Sequence, residues 1–320
     1  IYLTQQIAIN FRRAGHILGA SIVEVILEGE TQQKHLVFSG DLGREEDPIL
    51  NPPEHIKNAD VLFIESTYGD RENPFVDVKE DMARIINEAM QREGCVLIPA
   101  FSVGRTQNML MFIKDLMAQK AIPEMEVFMD SPMAISATEI YLRHSADHKL
   151  SEEVVKNDDS FLTLGRNLVT VQTQEASRYL NGKTEGAIII SASGMMSGGR
   201  ILHHLFHRLP NKSDTLMIVG FQAVGTRGRR IIEGEKFVKI FGQLVPVNCH
   251  VEVVNGLSAH ADKTELFAWL SHLESSPKLT FLIHGEEASS AHMSREVQRK
   301  FGWNTIIPQY LENVELFQGI

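Results

Sequence analysis

Five residues of this chain combine a metal-ligating or acid–base side chain with the same local setting. His16, Asp41, Glu65, His260 and His284 each stand at the end of a short apolar run or in the loop after it. The runs are INFRRAGH (Ile9–His16), LVFSGD (Leu36–Asp41), VLFIE (Val61–Glu65), VEVVNGLSAH (Val251–His260) and LTFLIH (Leu279–His284). Sites in α/β sheets lie outside the carboxyl ends of the strands, so five such residues are expected to converge on one rim. Imidazole nitrogen and carboxylate oxygen suit Zn²⁺, Mn²⁺ or Fe. Taken singly, each residue is more often a turn or capping group; the recurrence is what points to a metal centre.

Two glycine-rich segments form a second signal. Ser191–Arg200 reads SASGMMSGGR after the apolar run Ala187–Ile190, and Gly220–Arg230 reads GFQAVGTRGRR after Leu216–Val219. Such loops let backbone N–H groups approach an anion, and a following helix adds its dipole. Neither segment matches a P-loop or a dinucleotide fingerprint, so no nucleotide cofactor is expected. From Ser191 to Ile232 there are six cations (Arg200, Arg208, Lys212, Arg227, Arg229, Arg230) against Asp214 alone. In an acidic chain that segregation favours a focused anionic site. A third cluster, Glu65–Arg71 (ESTYGDR) with Pro99–Gln107 (PAFSVGRTQ), offers hydroxyls, Arg105 and Tyr68 for phosphate binding or stacking, or for helix capping. For Tyr68 and Phe101 a core position is the stronger expectation.

The elements that must position these groups follow from periodicity. Ile7–Phe11, Ser21–Leu27, His35–Phe38 and Val61–Ile64 read as strands. Helical patterns at Val78–Met90, Thr106–Gln119 and Met133–His144 alternate with strands at Cys95–Ile98 and Val127–Met129, and Glu152–Lys156 also reads as helical. Buried strands follow at Leu168–Val171, Ala187–Ile190 and Leu216–Val219. This βαβα rhythm indicates a mainly parallel sheet covered by helices. After about Ile240 the texture changes back, with strands at Val251–Val254 and Leu279–Ile283, helices at Lys263–His272 and Ser289–Phe301, and a short terminal strand. An inserted domain fits this order, and so does one large α/β domain.

The bulk numbers set outer limits. The chain has 320 residues, 43% hydrophobic and 22% charged, with a formal charge of −10. That suffices for one large or two ordinary domains and excludes a disordered tail, a coiled coil or a disulfide-stapled miniprotein. The charge argues against nucleic acid coating the whole surface but not against a local basic site. Cys95 and Cys249 lie in apolar stretches without ligand spacing and read as buried reduced thiols. No signal peptide or membrane span is visible, so a cytoplasmic location is expected.

AGHILGA around His16, SGDLGR around Asp41, ESTYGDR around Glu65, LSAHAD around His260 and LIHGE around His284, in this order, resemble the metallo-β-lactamase-fold ribonucleases of the β-CASP family. SASGMMSGGR and GFQAVGTRGR resemble that family's inserted domain, and the resemblance covers essentially the whole chain. It implies an αββα metallo-β-lactamase sandwich over residues 1–70 and 256–320, with its N-terminal part missing, split by a parallel α/β β-CASP domain over residues 71–255. It implies a zinc-dependent hydrolase that cleaves single-stranded RNA, as an endonuclease or a 5′ exonuclease. Two Zn²⁺ ions are implied, with His16 a ligand of one, Asp41 bridging both and His284 a ligand of the other. Glu65 and His260 match a pair in which the histidine serves the scissile phosphate and the acid orients it; with Asp41 they form the catalytic set. Ser193, Gly194, Gly198, Gly199, Gly225, Thr226, Arg227 and Arg229, joined by Arg105 and Tyr68, would line the RNA path.

One family motif, HxHxDH, is absent from these 320 residues, and His203, His204 and His207 lack the aspartate to replace it; they read as helix surface or cleft lining. The chain begins at Ile1, within a strand. The expectation is a fragment whose two zinc sites are incomplete and which is inactive alone. Its unfinished sheet edge invites a homodimer. A non-catalytic RNA-binding member of an RNA-processing complex is the alternative, followed by a small-molecule hydrolase on the same scaffold, which the basic glycine-rich insert disfavours.

Overall fold

The computed structural model describes residues 1–29, 32–73, 76–150, 164–183 and 186–317. The helix expected at Glu152–Lys156 lies outside the described residues. The chain divides into two compact units, Ile1–Asn73 with Ala259–Ile320, and Pro74–Ser258.

The first unit is built on one six-stranded sheet: β1 (Ile7–Arg13), β2 (Ser21–Glu28), β3 (Gln33–Phe38), β4 (Val61–Glu65), β13 (Leu279–Ile283) and β14 (Thr305–Ile306), in that spatial order. The first three are antiparallel; β3, β4, β13 and β14 run parallel. Side chains alternate across the pleat. One face, with Ile22, Val37, Leu62, Ile64 and Leu282, forms a core with Leu266, Phe267, Trp269, Met293 and Val297 from two helices. The other face carries Phe38, Phe63 and Phe281, stacked 4.4 and 4.6 Å apart across three neighbouring strands. One sheet and one helical layer of the four-layer αββα arrangement are therefore present among the described residues. β1 is the edge strand and is mostly exposed, Phe11 included, rather than the buried run its composition suggests.

The two helices end where local chemistry dictates. Lys263–Leu270 starts in a capping box: Asp262 accepts from the Glu265 N–H, and the Glu265 carboxylate accepts from the Asp262 N–H. Glu287–Phe301 stops at Gly302, whose left-handed φ of 71° lets the chain turn off the helix.

The second unit contains a six-stranded sheet in the order β12 (His250–Val253), β9 (Thr215–Ile218), β5 (Val96–Pro99), β8 (Ala187–Ser191), β6 (Glu126–Asp130) and β7 (Leu168–Thr170). Every pairing is parallel. β5, β8 and β9 are buried throughout, as helix cover on both faces requires. The helices are α1 (Val78–Gln91), α2 (Arg105–Ala118), α3 (Pro132–Arg143), α4 (Gln174–Leu180), α5 (Ile201–Arg208) and α6 (Arg227–Ile232), with α7 (Lys263–Leu270) and α8 (Glu287–Phe301) in the first unit.

Two expectations change here. The strand expected at Val251–Val254 is not buried: β12 pairs with β9 at the edge of the second unit's sheet, and its residues are exposed or half-buried. A hairpin, β10 (Phe237–Ile240) and β11 (Gln243–Pro246), lies where sequence periodicity marked only a change of texture. Its two-residue turn, Phe241–Gly242, has φ of 49° and 81°. Both values are positive, as a type I′ turn requires.

Candidate metal centre

The first unit brings together the five residues that recur after apolar runs. His16 follows Gly15, whose φ of 76° turns the chain off β1. Gly15 bridges to Leu42, so the His16 and Asp41 loops lie side by side. Gly43 makes this approach possible: a Cβ there would stand 2.0 Å from the Gly15 carbonyl oxygen. Glu65 ends β4, and the neighbouring strand β13 runs into His284, with Ile283 paired to Glu65. Ser66 Oγ donates to the Ile283 carbonyl at 2.9 Å, and Ser289 Oγ donates to the Ser66 carbonyl at 2.6 Å, tying the His284 loop down.

Within this frame His284 Nδ1 lies 3.0 Å from Asp41 Oδ1, and His16 Nε2 lies 3.9 Å from Asp41 Oδ2. His260 Nδ1 lies 3.0 Å from Glu65 Oε2 and 3.2 Å from Oε1. The His16 and His260 rings are 4.3 Å apart, and those of His260 and His284 are 5.9 Å apart. Glu65 is 1% exposed and accepts from the Leu42 N–H at 2.5 Å. That bond and the His260 imidazole supply the partners a buried carboxylate needs.

The ionisation of the cluster follows its packing. Burial, reinforced by the neighbouring His260, pulls the His16 imidazole below its ordinary value, against the opposing pull of Asp41. The hydrogen bond from His284 holds the Asp41 carboxyl low, and the same bond raises His284. Two triads, His16–Asp41–His260 and Asp41–Glu65–His284, each place their donor atoms within 4.8 Å of one another. Ligand atoms around one tetrahedral ion stand about 3–4 Å apart, as bonds of about 2.0–2.2 Å require. The imidazole–carboxylate donor set and the His16–Asp41 spacing therefore fit a zinc-type metal, with Asp41 common to both triads.

Tyr68 is buried; its ring lies 6.2 Å from that of His260, with the Arg71 guanidinium 5.3 Å from its centroid. Burial matches the core expectation for Tyr68. Phe101, expected in the core as well, is 47% exposed. It lies against Gly194, where a Cβ would stand 2.9 Å from its ring.

The other expected RNA-path residues belong to the second unit, in loops after β5, β8 and β9. Ser193 Oγ accepts from the Ser197 N–H, and the turn runs through Gly198 to Gly199. Gly225 has a φ of 83°, and Thr226 caps α6 by accepting from the Arg229 N–H. Arg105 is buried at the start of α2, with Gly220 nearby.

The surplus of positive charge read from the sequence is largely paired in three dimensions. Arg200 binds Asp130 at 2.7 Å, Arg208 binds Asp214 at 3.2 Å, Arg229 binds Glu233 at 2.7 Å and Arg230 binds Glu235 at 2.7 Å. Three of those acids lie outside residues 191–232. Arg227 donates to the Met196 and Lys239 carbonyls, joining the two glycine-rich regions, and its guanidinium is lowered by burial.

Sequence reasoning missed one buried polar centre. Asp130, fully buried at the end of β6, accepts from Ser177 Oγ at 2.5 Å and Arg200 Nη1 at 2.7 Å, and stands 2.6 Å from His204 Nε2. Burial alone would raise its carboxyl; His204, Ser177 and Arg200 outweigh that and hold it low. His204 is 0% exposed, so it is not helix surface, whereas His203 and His207 are exposed. The available signal was another acid closing an apolar run, Val127–Asp130.

Residues 106–231 match the Beta-Casp domain model, and residues 244–308 match the model of a Zn-dependent metallo-hydrolase RNA specificity domain. The chain is 35% identical to ribonuclease TTHA0252 of Thermus thermophilus over 88% of its own length and 63% of that protein's. It is 29% identical to the transcription termination factor FttA of Methanocaldococcus jannaschii over 98% of the chain and 50% of the relative. An RNase J-like protein of the same archaeon is 28% identical over 96% of the chain and 70% of the relative. The chain thus spans half to about two-thirds of the length of these curated relatives. No helix among the described residues is long and apolar enough to cross a membrane.

Proposed function

From the premise that the chain belongs to the β-CASP family of metallo-β-lactamase-fold proteins, we propose that it carries part of a zinc-dependent centre for hydrolysing phosphodiester bonds in single-stranded RNA. The observation that carries this reading is the convergence of His16, Asp41, Glu65, His260 and His284, from both ends of the sequence, on one cluster.

His16, Asp41 and His284 would hold the metal. Bound zinc supplies a water acidic enough to deprotonate near neutral pH and a Lewis acid for phosphoryl oxygen. The remaining work belongs to the chain. Glu65 fixes the His260 ring through Nδ1, so Nε2 is the atom that passes a proton to the leaving oxygen. Ser193, Gly194, Gly198, Gly199, Gly225 and Thr226 cradle the backbone phosphates, and Arg229 exchanges its exposed pair with Glu233 for a phosphate. Arg227 holds the two glycine-rich regions together.

A catalytic zinc takes three protein ligands and keeps one position for water. With Glu65 and His260 assigned to proton transfer, two ions sharing Asp41 would have only His16, Asp41 and His284 between them. These 320 residues alone are therefore expected to bind zinc weakly and not to cut RNA. The same incomplete set supports the second reading, a non-catalytic RNA-binding component. Zinc analysis combined with cleavage of 5′-labelled RNA tests the proposal. Robust zinc-dependent cleavage by the 320-residue chain, lost in His284→Ala, refutes the incompleteness; no RNA binding at all refutes the substrate class. In a full-length protein, release of single nucleotides from the 5′ end indicates an exonuclease, and internal fragments an endonuclease.

A further inference from the structure

The second unit contains a cavity of ≈ 410 Å³ that shares only Gly199 with the phosphate cradles. Gln174, Arg178 and Asn181 line one side. They are spaced i, i+4, i+7 over α4 and the residue that follows it, which puts them on one helix face. Gly199, His203 and Phe241 line the rest. We propose that this cavity is a subsite for one nucleotide of a single-stranded RNA, with the base against Phe241. The proposal rests on the RNA reading above and gives it a base-binding position within the second unit.

Three observations converge. Phe241 is 54% exposed, and its ring centroid lies 4.6 Å from that of His203, so two rings form an aromatic wall open to solvent. A base has a π-face whatever its identity, and stacking on exposed aromatic side chains is the usual way proteins hold single strands. Gln174 and Asn181 put carboxamides on the same wall, groups whose N–H and C=O suit the edge of a base. Arg178 is exposed and in no ion pair among the described residues, so its guanidinium remains available for a backbone phosphate. A cavity near the lower end of the ligand-pocket range of about 300–1,000 Å³ suits one nucleotide.

Phe241 also occupies a costly place for a bulky side chain. It is the first central residue of the type I′ turn, with φ of 49°, where Asn, Asp or Gly is favoured. An aromatic held there at the expense of local conformation is expected to be used.

That geometry provides a test in which structure and binding move in opposite directions. Phe241→Asn suits the turn better and is expected to raise the melting temperature of the 320-residue chain or leave it unchanged. In fluorescence anisotropy with a labelled 12-nucleotide oligoadenylate, the same substitution is expected to weaken binding about 5- to 150-fold, the range of one base–aromatic stack. Phe241→Tyr is expected to bind within about twofold of wild type. Equal binding by wild type and Phe241→Asn, with Arg229→Ala weakened, overturns the subsite and leaves the RNA reading standing. A change in oligomeric state without a change in RNA affinity also overturns the subsite, because Phe241 then contacts a second copy. Failure of the wild type to bind RNA overturns both.

Discussion

Replacing Asp130 by Asn isolates the buried polar centre of the second unit. The carboxylate accepts from Ser177 and Arg200, faces His204, and is itself 0% exposed. Asparagine keeps the shape but has one acceptor oxygen and a donating NH₂. If the NH₂ faces Arg200, two donors oppose each other. If it faces Ser177 and His204, the hydroxyl can rotate and the imidazole can change tautomer, but Arg200 still loses its counter-charge. Breaking a buried pair by removing one partner costs about 3–5 kcal/mol. Arg200 keeps the Val171 and Gln172 carbonyls as acceptors, and its side chain is 19% exposed, which places the loss near the lower bound. For a unit of this size each kcal/mol moves the midpoint by about 2–4 °C, so the unfolding transition of the second unit is expected about 6–12 °C lower by scanning calorimetry at pH 7. Asp130 titrates below its ordinary value in the folded state. Its stabilisation is therefore present above the unfolded-state pKa of about 4 and is lost as pH falls through the lower folded-state value. The gap between wild type and variant should narrow below about pH 4. A shift under about 2 °C at pH 7, or a gap unchanged on acidification, would refute the reasoning.

Gly43→Ala puts a methyl group 2.0 Å from the Gly15 carbonyl oxygen; forced overpacking is expected to cost about 1–3 kcal/mol and to weaken zinc binding by displacing His16, as calorimetry and zinc titration would report. Glu65→Gln leaves His260 without its carboxylate. Any zinc-dependent RNA cleavage should fall about 10²-fold or more, the usual worth of positioned proton transfer, and undiminished turnover would remove Glu65 from the proposed orienting role. Arg208→Met leaves Asp214 buried with its charge uncompensated. The expected loss is about 3–5 kcal/mol in chemical denaturation, with RNA affinity in still-folded protein unchanged.

The main elements of both sheets were legible because burial leaves a period. Val61–Glu65 and Ala187–Ser191 are continuous apolar runs, and the structure places both as central strands. The hairpin Phe237–Pro246 was not legible, since its turn carries Phe241 where the usual residue is Asn, Asp or Gly. β12 looked buried from its valines; its position at the sheet edge is set by pairing with β9, about 35 residues earlier in the chain. At the candidate site the five strand-end residues were legible by type and setting. The Asp130–His204 contact was not, because the partners are 74 residues apart and on different elements.

Charge shows the division most plainly. The sequence by itself determined which residues carry ligand and acid–base chemistry, since an imidazole or carboxylate is a property of the residue and its place after an apolar run is local. It also determined the alternation of buried strands and helices, because hydrophobic period is local too. Only the tertiary structure decided how those groups meet: Glu65 beneath His260 across 195 positions, and Asp41 between His16 and His284. Only it decided that Arg200, Arg208, Arg229 and Arg230 are paired rather than massed on one surface. The reason is that electrostatic energy depends on distance and burial in space, and neither follows from counting charges along the chain.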